Sequence, residues 1–190
     1  MTERLVILDR DGVVNHDSDA YIKSVEEWRP IPGSLEAMAR LHHAGWRLAI
    51  ATNQSGIARG LFDPSALDAI HQRLRERLAD HGARVEMIAF CPHGPEDGCT
   101  CRKPLPGLLE QIARRLGADL RGVPVIGDSL RDLEAARAVG AAPWLVRTGK
   151  GERTLAACAD HPGPGPLAGV PIFPDLSAAT DALLASDTRP

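Results

Sequence analysis

The chain has 190 residues, a formal net charge of −3 and a hydrophobic content of 44%. This length suits one globular domain, and the slight acidity without a basic run argues against a nucleic-acid partner. No stretch approaches the roughly 20 apolar residues of a membrane-spanning helix, and the N-terminal apolar run is too short for a signal peptide. We therefore expect a single cytoplasmic domain over residues 1–190, with neither a nucleic-acid nor a membrane partner.

Short apolar strands alternate with amphipathic helices along the chain. The predicted strands lie at 4–9, 46–52, 84–90, 123–128, 142–148 and around 172–173, and the predicted helices at 34–44, 63–81, 106–116, 130–139 and 176–184. Such alternation predicts right-handed crossovers and a parallel sheet with helices on both faces. The expected fold class is thus α/β, with a three-layer, Rossmann-like parallel sheet. Residues 161–171 are predicted to form a Pro/Gly-rich surface loop, and His71 is expected at the helix surface or boundary.

Polar side chains follow the predicted strands at the edge where α/β sheets bind ligands. They are Asp9 and Asp11 after the first strand, Thr52 and Asn53 after the second, and Asp128 after the fourth. Converging carboxylates repel one another, and Mg²⁺ prefers carboxylate and phosphate oxygens. A single acid at a strand end is usually a turn or capping residue. Their recurrence at successive strand ends favours a site for magnesium and phosphate.

A second cluster lies in the loop after the third strand, which reads CPHGPEDGCTCRKP at 91–104. Its candidate metal ligands are Cys91, His93, Cys99 and Cys101. Three thiolates and an imidazole are a common tetrahedral zinc set, and cytoplasmic thiols stay reduced. A redox-active Cys-x-Cys pair and buried core thiols are the alternatives. A zinc-binding loop at 91–103 would fix a connection that is otherwise mobile, and would aim Lys103 at a bound phosphate.

Four motifs, in order and at the proper spacing, resemble those of the haloacid-dehalogenase-type phosphatases. They are DRDGVVN (9–15), ATNQ (51–54), RKP (102–104) and GDSLRD (127–132). The resemblance implies a phosphomonoester hydrolase that requires Mg²⁺ and forms an aspartyl-phosphate. It also implies a haloacid-dehalogenase-like fold, here without room for a large cap domain between the motifs.

The same resemblance implies a role for individual residues. Asp9 would be the nucleophile and Asp11 the general acid and base, while Thr52 would hold phosphoryl oxygens and Lys103 would neutralise charge in the transition state. Asp132 is either a partner of Lys103 or an ordinary first-turn acid that favours the helix dipole. The implied magnesium ligands are Asp9, Asp11 through its backbone carbonyl, and Asp128.

The zinc loop and the stretch TNQSGIARG (52–60) narrow the resemblance to one branch of the family. That branch removes the 7-phosphate of a heptose 1,7-bisphosphate, in the synthesis of nucleotide-activated heptose for lipopolysaccharide core or surface layers. The implied substrate-binding residues are Asp17, Ser18, Asp19, Ala20, Asn53, Gln54, Ser55 and Arg102. Ser129 stands where some relatives carry Lys, which leaves the preferred anomer open.

Several alternatives to this assignment are compatible with parts of the sequence. Within the family, the histidinol-phosphate branch shares the zinc loop. From other classes, a non-enzymatic zinc-binding module would leave the strand-end acids without a role, and a thiol redox protein would not hold stoichiometric zinc. A phosphatase of nucleic-acid ends would require a basic groove. No helix presents an apolar dimer face, so we expect a monomer that binds a small sugar bisphosphate.

Overall fold

The structure, a computed structural model, describes residues 4–159 and 165–187. The strands in these ranges are β1 (Leu5–Leu8), β2 (Arg47–Asn53), β3 (Met87–Cys91), β4 (Pro124–Gly127), β5 (Ala142–Val146) and β6 (Ile172–Phe173). The helices are α1 (Ser34–His43), α2 (Pro64–Ala79), α3 (Gly107–Leu116), α4 (Leu130–Ala138), α5 (Gly151–Cys158) and α6 (Leu176–Asp187). The strands form one parallel sheet in the order β3-β2-β1-β4-β5-β6.

Two apolar layers cover the sheet, because successive strand residues point to opposite faces. In β1, Val6 and Leu8 belong to the layer with α1, α2 and α6, whereas Leu5 and Ile7 belong to the layer with α3 and α4. The predicted three-layer α/β fold is confirmed, and the described residues include no large cap domain. None of the helices in the described ranges is both long and apolar enough to cross a bilayer.

The strand order places a ligand-binding crevice above the centre of the sheet. β1 lies between β2 and β4, and the chain order reverses between β1 and β4. In open α/β sheets a ligand binds at such a reversal, outside the carboxyl ends of the strands. The acids that follow β1 and β4 therefore meet at one edge of the sheet, as the sequence predicts.

Strand β3 lies further along the chain than the sequence predicts. It begins at Met87 and reaches Cys91, whereas the prediction covers 84–90. It is an edge strand whose described partner is β2, and the pairing runs from Ala49 opposite Met87 to Asn53 opposite Cys91. The register with β2 thus sets the bounds of β3 and delivers the first cysteine of the loop to the sheet edge beside Asn53.

Helix α5 is absent from the sequence prediction, because glycines on either side of Lys150 are typical of a loop. Gly151 nevertheless begins the helix, and a Cβ at this position would lie 1.9 Å from the Val146 carbonyl oxygen. By contrast, α2 begins as predicted, with Asp63 accepting a hydrogen bond from the Ala66 amide at 2.8 Å. Part of the predicted loop at 161–171 lies outside the described residues, which resume at 165.

We predict that Leu48→Ala lowers the free energy of unfolding by about 3 kcal/mol, because truncation of a core leucine leaves a cavity. Leu48 is fully buried in β2, whereas Leu61 is 46% exposed. The matched substitution Leu61→Ala should cost no more than about 0.5 kcal/mol. Urea denaturation of both variants measures the difference, and equal losses would contradict the assignment of Leu48 to the core.

Candidate active site

A cavity of about 240 Å³ opens at the carboxyl edge of the sheet. Its walls hold nearly all the predicted catalytic, substrate-binding and magnesium residues: Asp9, Asp11, Asp17, Ser18, Asp19, Thr52, Asn53, Gln54, Ser55, Arg102, Lys103 and Asp128. Ala20 is the exception, since it lines a neighbouring surface depression beside Tyr21. The fold therefore brings residues from all four motifs to one cavity.

Lys103 forms ion pairs with two acids at this cavity. Its ammonium lies 3.0 Å from Asp9 Oδ1 and 2.6 Å from Asp132 Oδ1, and it donates to the Ala51 carbonyl at 2.7 Å. Burial lowers the pKa of Lys103, but the two carboxylates outweigh this effect and raise it above the ordinary value. Asp132 also accepts two hydrogen bonds from Ser129, at the start of α4. It is thus both a partner of Lys103 and a helix-terminal acid.

Asn53 holds the backbone of the same lysine. Its Nδ2 donates to the Lys103 carbonyl at 3.1 Å, and the Lys103 amide donates to Asn53 Oδ1 at 3.1 Å. Both polar atoms of the Asn53 side chain are therefore engaged in placing Lys103. Sequence reasoning missed this contact, and the implied contact of Asn53 with substrate stays a prediction.

Three carboxylates converge beside Lys103. Ligand atoms of Asp9, Asp128 and Asp132 all lie within 4.8 Å of one another. Burial raises the pKa of Asp128 to about 7, with a further contribution from Asp132. Burial likewise raises the pKa of Asp9, although Lys103 opposes it. A divalent cation would relieve this repulsion, so the acids Asp9 and Asp128 fit a Mg²⁺ ion.

The Asp11 carboxylate is held by three side chains. Arg10 donates to both of its oxygens, through Nε at 2.9 Å and Nη2 at 3.1 Å. Asn15 and Gln54 donate to it at 2.9 and 3.0 Å, and Gln54 also donates to the Thr52 hydroxyl at 2.9 Å. Burial pushes the pKa of Asp11 upward, but Arg10 and these hydrogen bonds lower it overall. With its carboxylate engaged in this way, Asp11 would reach a metal through its backbone carbonyl.

Arg10 connects this acid to helix α2. The Arg10 side chain is fully buried, and its Nη1 lies 3.3 Å from Nε2 of His71. His71 is itself buried, so the expectation of a surface or boundary position is wrong. Burial and the Arg10 charge lower the pKa of His71 to about 3. A neutral imidazole therefore accepts a hydrogen bond from the guanidinium, which in turn orients Asp11.

The segment that joins β5 to α5 holds Asp128 and was missed by the sequence analysis. The backbone amide of Lys150 donates to Asp128 Oδ2 at 2.7 Å, and the Thr148 hydroxyl donates to the Gly12 carbonyl at 2.6 Å. Gly149 between them has φ +60°, and a Cβ there would lie 2.2 Å from Asp128 Oδ2. The run TGKG after a predicted strand was the available signal, since paired glycines mark a close backbone approach.

Cationic side chains besides Lys103 line the cavity. Arg102, which was predicted, lines the cavity together with Arg131 and Lys150, which were not. The Lys150 ammonium lies 2.7 Å from Asp17 Oδ2, and Asp17 Oδ1 accepts a hydrogen bond from the Ser18 amide at 2.8 Å. Arg102 and Arg131 would suit a substrate that carries a second phosphate, whereas the Lys150 ammonium is already paired with Asp17.

The four predicted zinc ligands also converge. Cys91 Sγ lies 3.6 Å from His93 Nδ1 and 3.7 Å from Cys99 Sγ, and Cys101 Sγ lies 3.4 Å from His93 Nδ1. Tetrahedral zinc, with Zn–S near 2.3 Å and Zn–N near 2.0 Å, has ligand–ligand edges of roughly 3.5–3.8 Å. All four cysteines of the described chain are free thiols. The residues therefore fit a zinc ion.

Comparison with known proteins identifies the family. The chain is 58% identical to the D-glycero-beta-D-manno-heptose-1,7-bisphosphate 7-phosphatase of Pseudomonas aeruginosa, over 97% of this chain and 99% of that protein. It is 56% identical to the protein of the same name from Bordetella bronchiseptica, over 95% and 98% of the two chains. The chain belongs to the haloacid-dehalogenase-like phosphatases.

Two further comparisons agree with this family. A family model described as HAD-hydrolase-like matches residues 100–177. The crystal structure of D,D-heptose 1,7-bisphosphate phosphatase from B. bronchiseptica, complexed with magnesium and phosphate, superposes with a TM-score of 0.89 at 55% identity. It covers 98% of this chain and 99% of that one. As a member of this family the chain is a phosphomonoester hydrolase, which contradicts the non-enzymatic zinc module and does not favour the thiol redox protein.

We predict that His71 makes folding sensitive to mild acid. Its pKa is about 3 in the fold and 6.5 ordinarily, so below pH 6.5 the unfolded chain takes up a proton that the folded chain does not. The stability that neutral His71 contributes is present above pH 6.5 and is lost as the pH falls towards 3. Between pH 7.5 and 5.5, wild type should lose about 1.4 kcal/mol more than His71→Gln. Urea titrations at both pH values test this, and parallel losses would contradict it.

Proposed function

We propose that this enzyme removes the 7-phosphate of D-glycero-β-D-manno-heptose 1,7-bisphosphate, in the synthesis of nucleotide-activated heptose for lipopolysaccharide core or surface layers. The observation that carries the proposal is the convergence of Asp9, Lys103 and Asp128 on a cavity with further cations at its rim. The relatives from P. aeruginosa and B. bronchiseptica carry the β-anomer in their names, which supports that anomer here. The cytoplasmic location and the monomeric state stay predictions.

In the first step, a carboxylate oxygen of Asp9 attacks the phosphorus of the 7-phosphate. The new P–O bond gives an aspartyl-phosphate as the bond from phosphorus to the C7 oxygen breaks. Asp11 donates a proton to that leaving oxygen, so that heptose 1-phosphate departs as an alcohol. The negative charge of the bound phosphate favours the protonated form of Asp11. The contacts from Arg10 and Gln54 orient the Asp11 carboxyl group for this proton transfer.

In the second step, water attacks the phosphorus of the aspartyl-phosphate and gives its proton to Asp11. Inorganic phosphate leaves, and the Asp9 carboxylate is restored. Lys103, 3.0 Å from Asp9, stabilises the charge that develops on the phosphoryl oxygens in both steps. A bound Mg²⁺ supplies further charge neutralisation, and Asp9, the Asp11 carbonyl and Asp128 would hold it.

The zinc ion proposed at Cys91, His93, Cys99 and Cys101 has a structural role, because it would hold the loop that leads to Lys103. The cluster ends two residues before Lys103, and the Arg102 guanidinium donates to the His93 carbonyl at 3.2 Å. Cys91 begins the loop at the end of β3, opposite Asn53. Closing the loop by a metal would therefore fix the path between the sheet edge and the catalytic lysine. Zinc so bound takes no part in the reaction of the substrate.

We predict that wild-type protein with Mg²⁺ hydrolyses the β-anomer of heptose 1,7-bisphosphate with a higher kcat/KM than the α-anomer or histidinol phosphate. Asp9→Asn should reduce kcat by about a thousandfold or more, because the nucleophile is lost. Asp68→Asn, at an exposed position of α2, is the matched control and should keep full activity. Phosphate release measures both. Preference for histidinol phosphate would refute the proposed substrate, and an active Asp9→Asn would refute the proposed nucleophile.

We predict that removing zinc reduces kcat at least about tenfold, because a catalytic group misplaced by about 1 Å can lower the rate about a hundredfold. The protein is treated with a chelator, resupplied with Mg²⁺ and assayed after its zinc content has been measured. Cys101→Ser should reproduce the loss, whereas Cys158→Ser, outside the cluster, should retain zinc and activity. Full activity in protein verified as zinc-free would show that the loop does not need the metal to place Lys103.

A further inference from the structure

Lys150 contacts two acids of the active site with two different groups. Its backbone amide donates to Asp128 Oδ2 at 2.7 Å, and its ammonium lies 2.7 Å from Asp17 Oδ2. Asp128 belongs to the proposed magnesium site, and Asp17 opens the loop that is predicted to bind substrate. One residue therefore links the two parts of the site that must act on the same phosphate ester.

The position of Lys150 is set by close packing beside it. Gly149 has φ +60°, and a Cβ there would lie 2.2 Å from Asp128 Oδ2 and 2.4 Å from Gly12 Cα. Thr148 adds a hydrogen bond from its hydroxyl to the Gly12 carbonyl at 2.6 Å. The backbone that enters Lys150 thus has little freedom, and the ammonium is presented to Asp17 before any substrate binds.

The Lys150–Asp17 pair is better protected from water than the other pair between the same two segments. The side chains of Lys150 and Asp17 are 34% and 15% exposed. Arg153 and Asp19, by contrast, are 67% and 77% exposed and 3.5 Å apart. Ion pairs on the surface contribute little, whereas partly buried pairs are screened less. Asp17 also accepts a hydrogen bond from the Ser18 amide, so the orientation of its side chain affects the backbone conformation at the start of the loop.

We propose that Lys150 is a positioning residue that couples the substrate loop to the magnesium site. Its ammonium orients Asp17, and through Asp17 the loop at 17–20 that would close over the sugar. Its backbone amide holds one oxygen of Asp128 and leaves the other oxygen for the metal. The assignment of the ligand as a sugar bisphosphate rests on the proposed function, but the coupling itself does not.

The first test compares Lys150→Met with Arg153→Gln. Lys150→Met should reduce kcat/KM for the heptose bisphosphate roughly tenfold, mainly through KM, because a partly buried ion pair to the loop is lost. The Mg²⁺ concentration for half-maximal activity should stay the same, since the backbone amide remains. Arg153→Gln should behave as wild type. An unchanged KM in Lys150→Met would overturn the proposal.

A double-mutant cycle separates this role from direct contact with the substrate. If Lys150 acts through Asp17, then Lys150→Met in an Asp17→Asn background should add less than a twofold further loss. If the two losses instead multiply, Lys150 binds the substrate by itself, and the positioning role is refuted.

Hydrogen–deuterium exchange gives a readout that needs no substrate. Peptides covering 16–23 should exchange faster in Lys150→Met than in wild type or Arg153→Gln, while peptides of β1 and β2 remain unchanged as a control for folding. Unchanged exchange at 16–23 would overturn the inference, whatever the activity. If wild type fails to hydrolyse the bisphosphate, the proposed function is refuted, and the exchange result still decides the role of Lys150.

Discussion

The architecture of the site depends on one buried ammonium group. The Lys103 ammonium forms ion pairs with Asp9 and Asp132 and donates to the Ala51 carbonyl, so it has three close oxygen partners. Removing one partner of a buried ion pair typically costs about 3–5 kcal/mol, because the remaining charge is left uncompensated. The same interaction opposes the rise in the pKa of Asp9 that burial causes. These ion pairs therefore hold together the end of β1, the loop after β3 and the start of α4.

Two independent contacts deliver the lysine to that position. Asn53, at the end of β2, forms hydrogen bonds with both backbone polar groups of Lys103. The cysteine–histidine cluster lies in the preceding loop, which starts where β3 pairs with β2, and a bound zinc ion would close that loop. A connection of this length without secondary structure would otherwise be mobile. With zinc bound, this loop and the sheet edge would together position the Lys103 side chain, which would account for thiols next to the RKP motif.

Asp11, the proposed general acid and base, is held in place by buried residues. Arg10 is buried behind Asp11, and neutral His71 on α2 accepts a hydrogen bond from it. Helix α2 carries no family motif, yet through His71 and Arg10 it helps to orient the proposed general acid. On the solvent side, Lys150 holds Asp17 and Asp128 at once. The carboxylates of Asp11, Asp17 and Asp128 are therefore held by Arg10 and Lys150, and Arg10 is in turn contacted by His71.

The succession of strands and helices apart from α5, the acids at the strand ends and the cysteine–histidine cluster could be predicted from sequence, because each follows from local periodicity, spacing or a motif. The partners of those residues could not. Whether His71 is buried, whether Asn53 faces a lysine and whether Lys150 reaches Asp17 depend on how crossovers stack distant segments. Helix α5 was missed because Gly149 and Gly151 are residues typical of a loop. The structure shows another reason for Gly151, since a Cβ there would collide with the Val146 carbonyl oxygen. Patterns of nearby residues in the sequence indicate which side chains can bind a metal or a phosphate. Only the tertiary structure determines which charged side chains share a cavity, because these come from segments that are distant in the sequence.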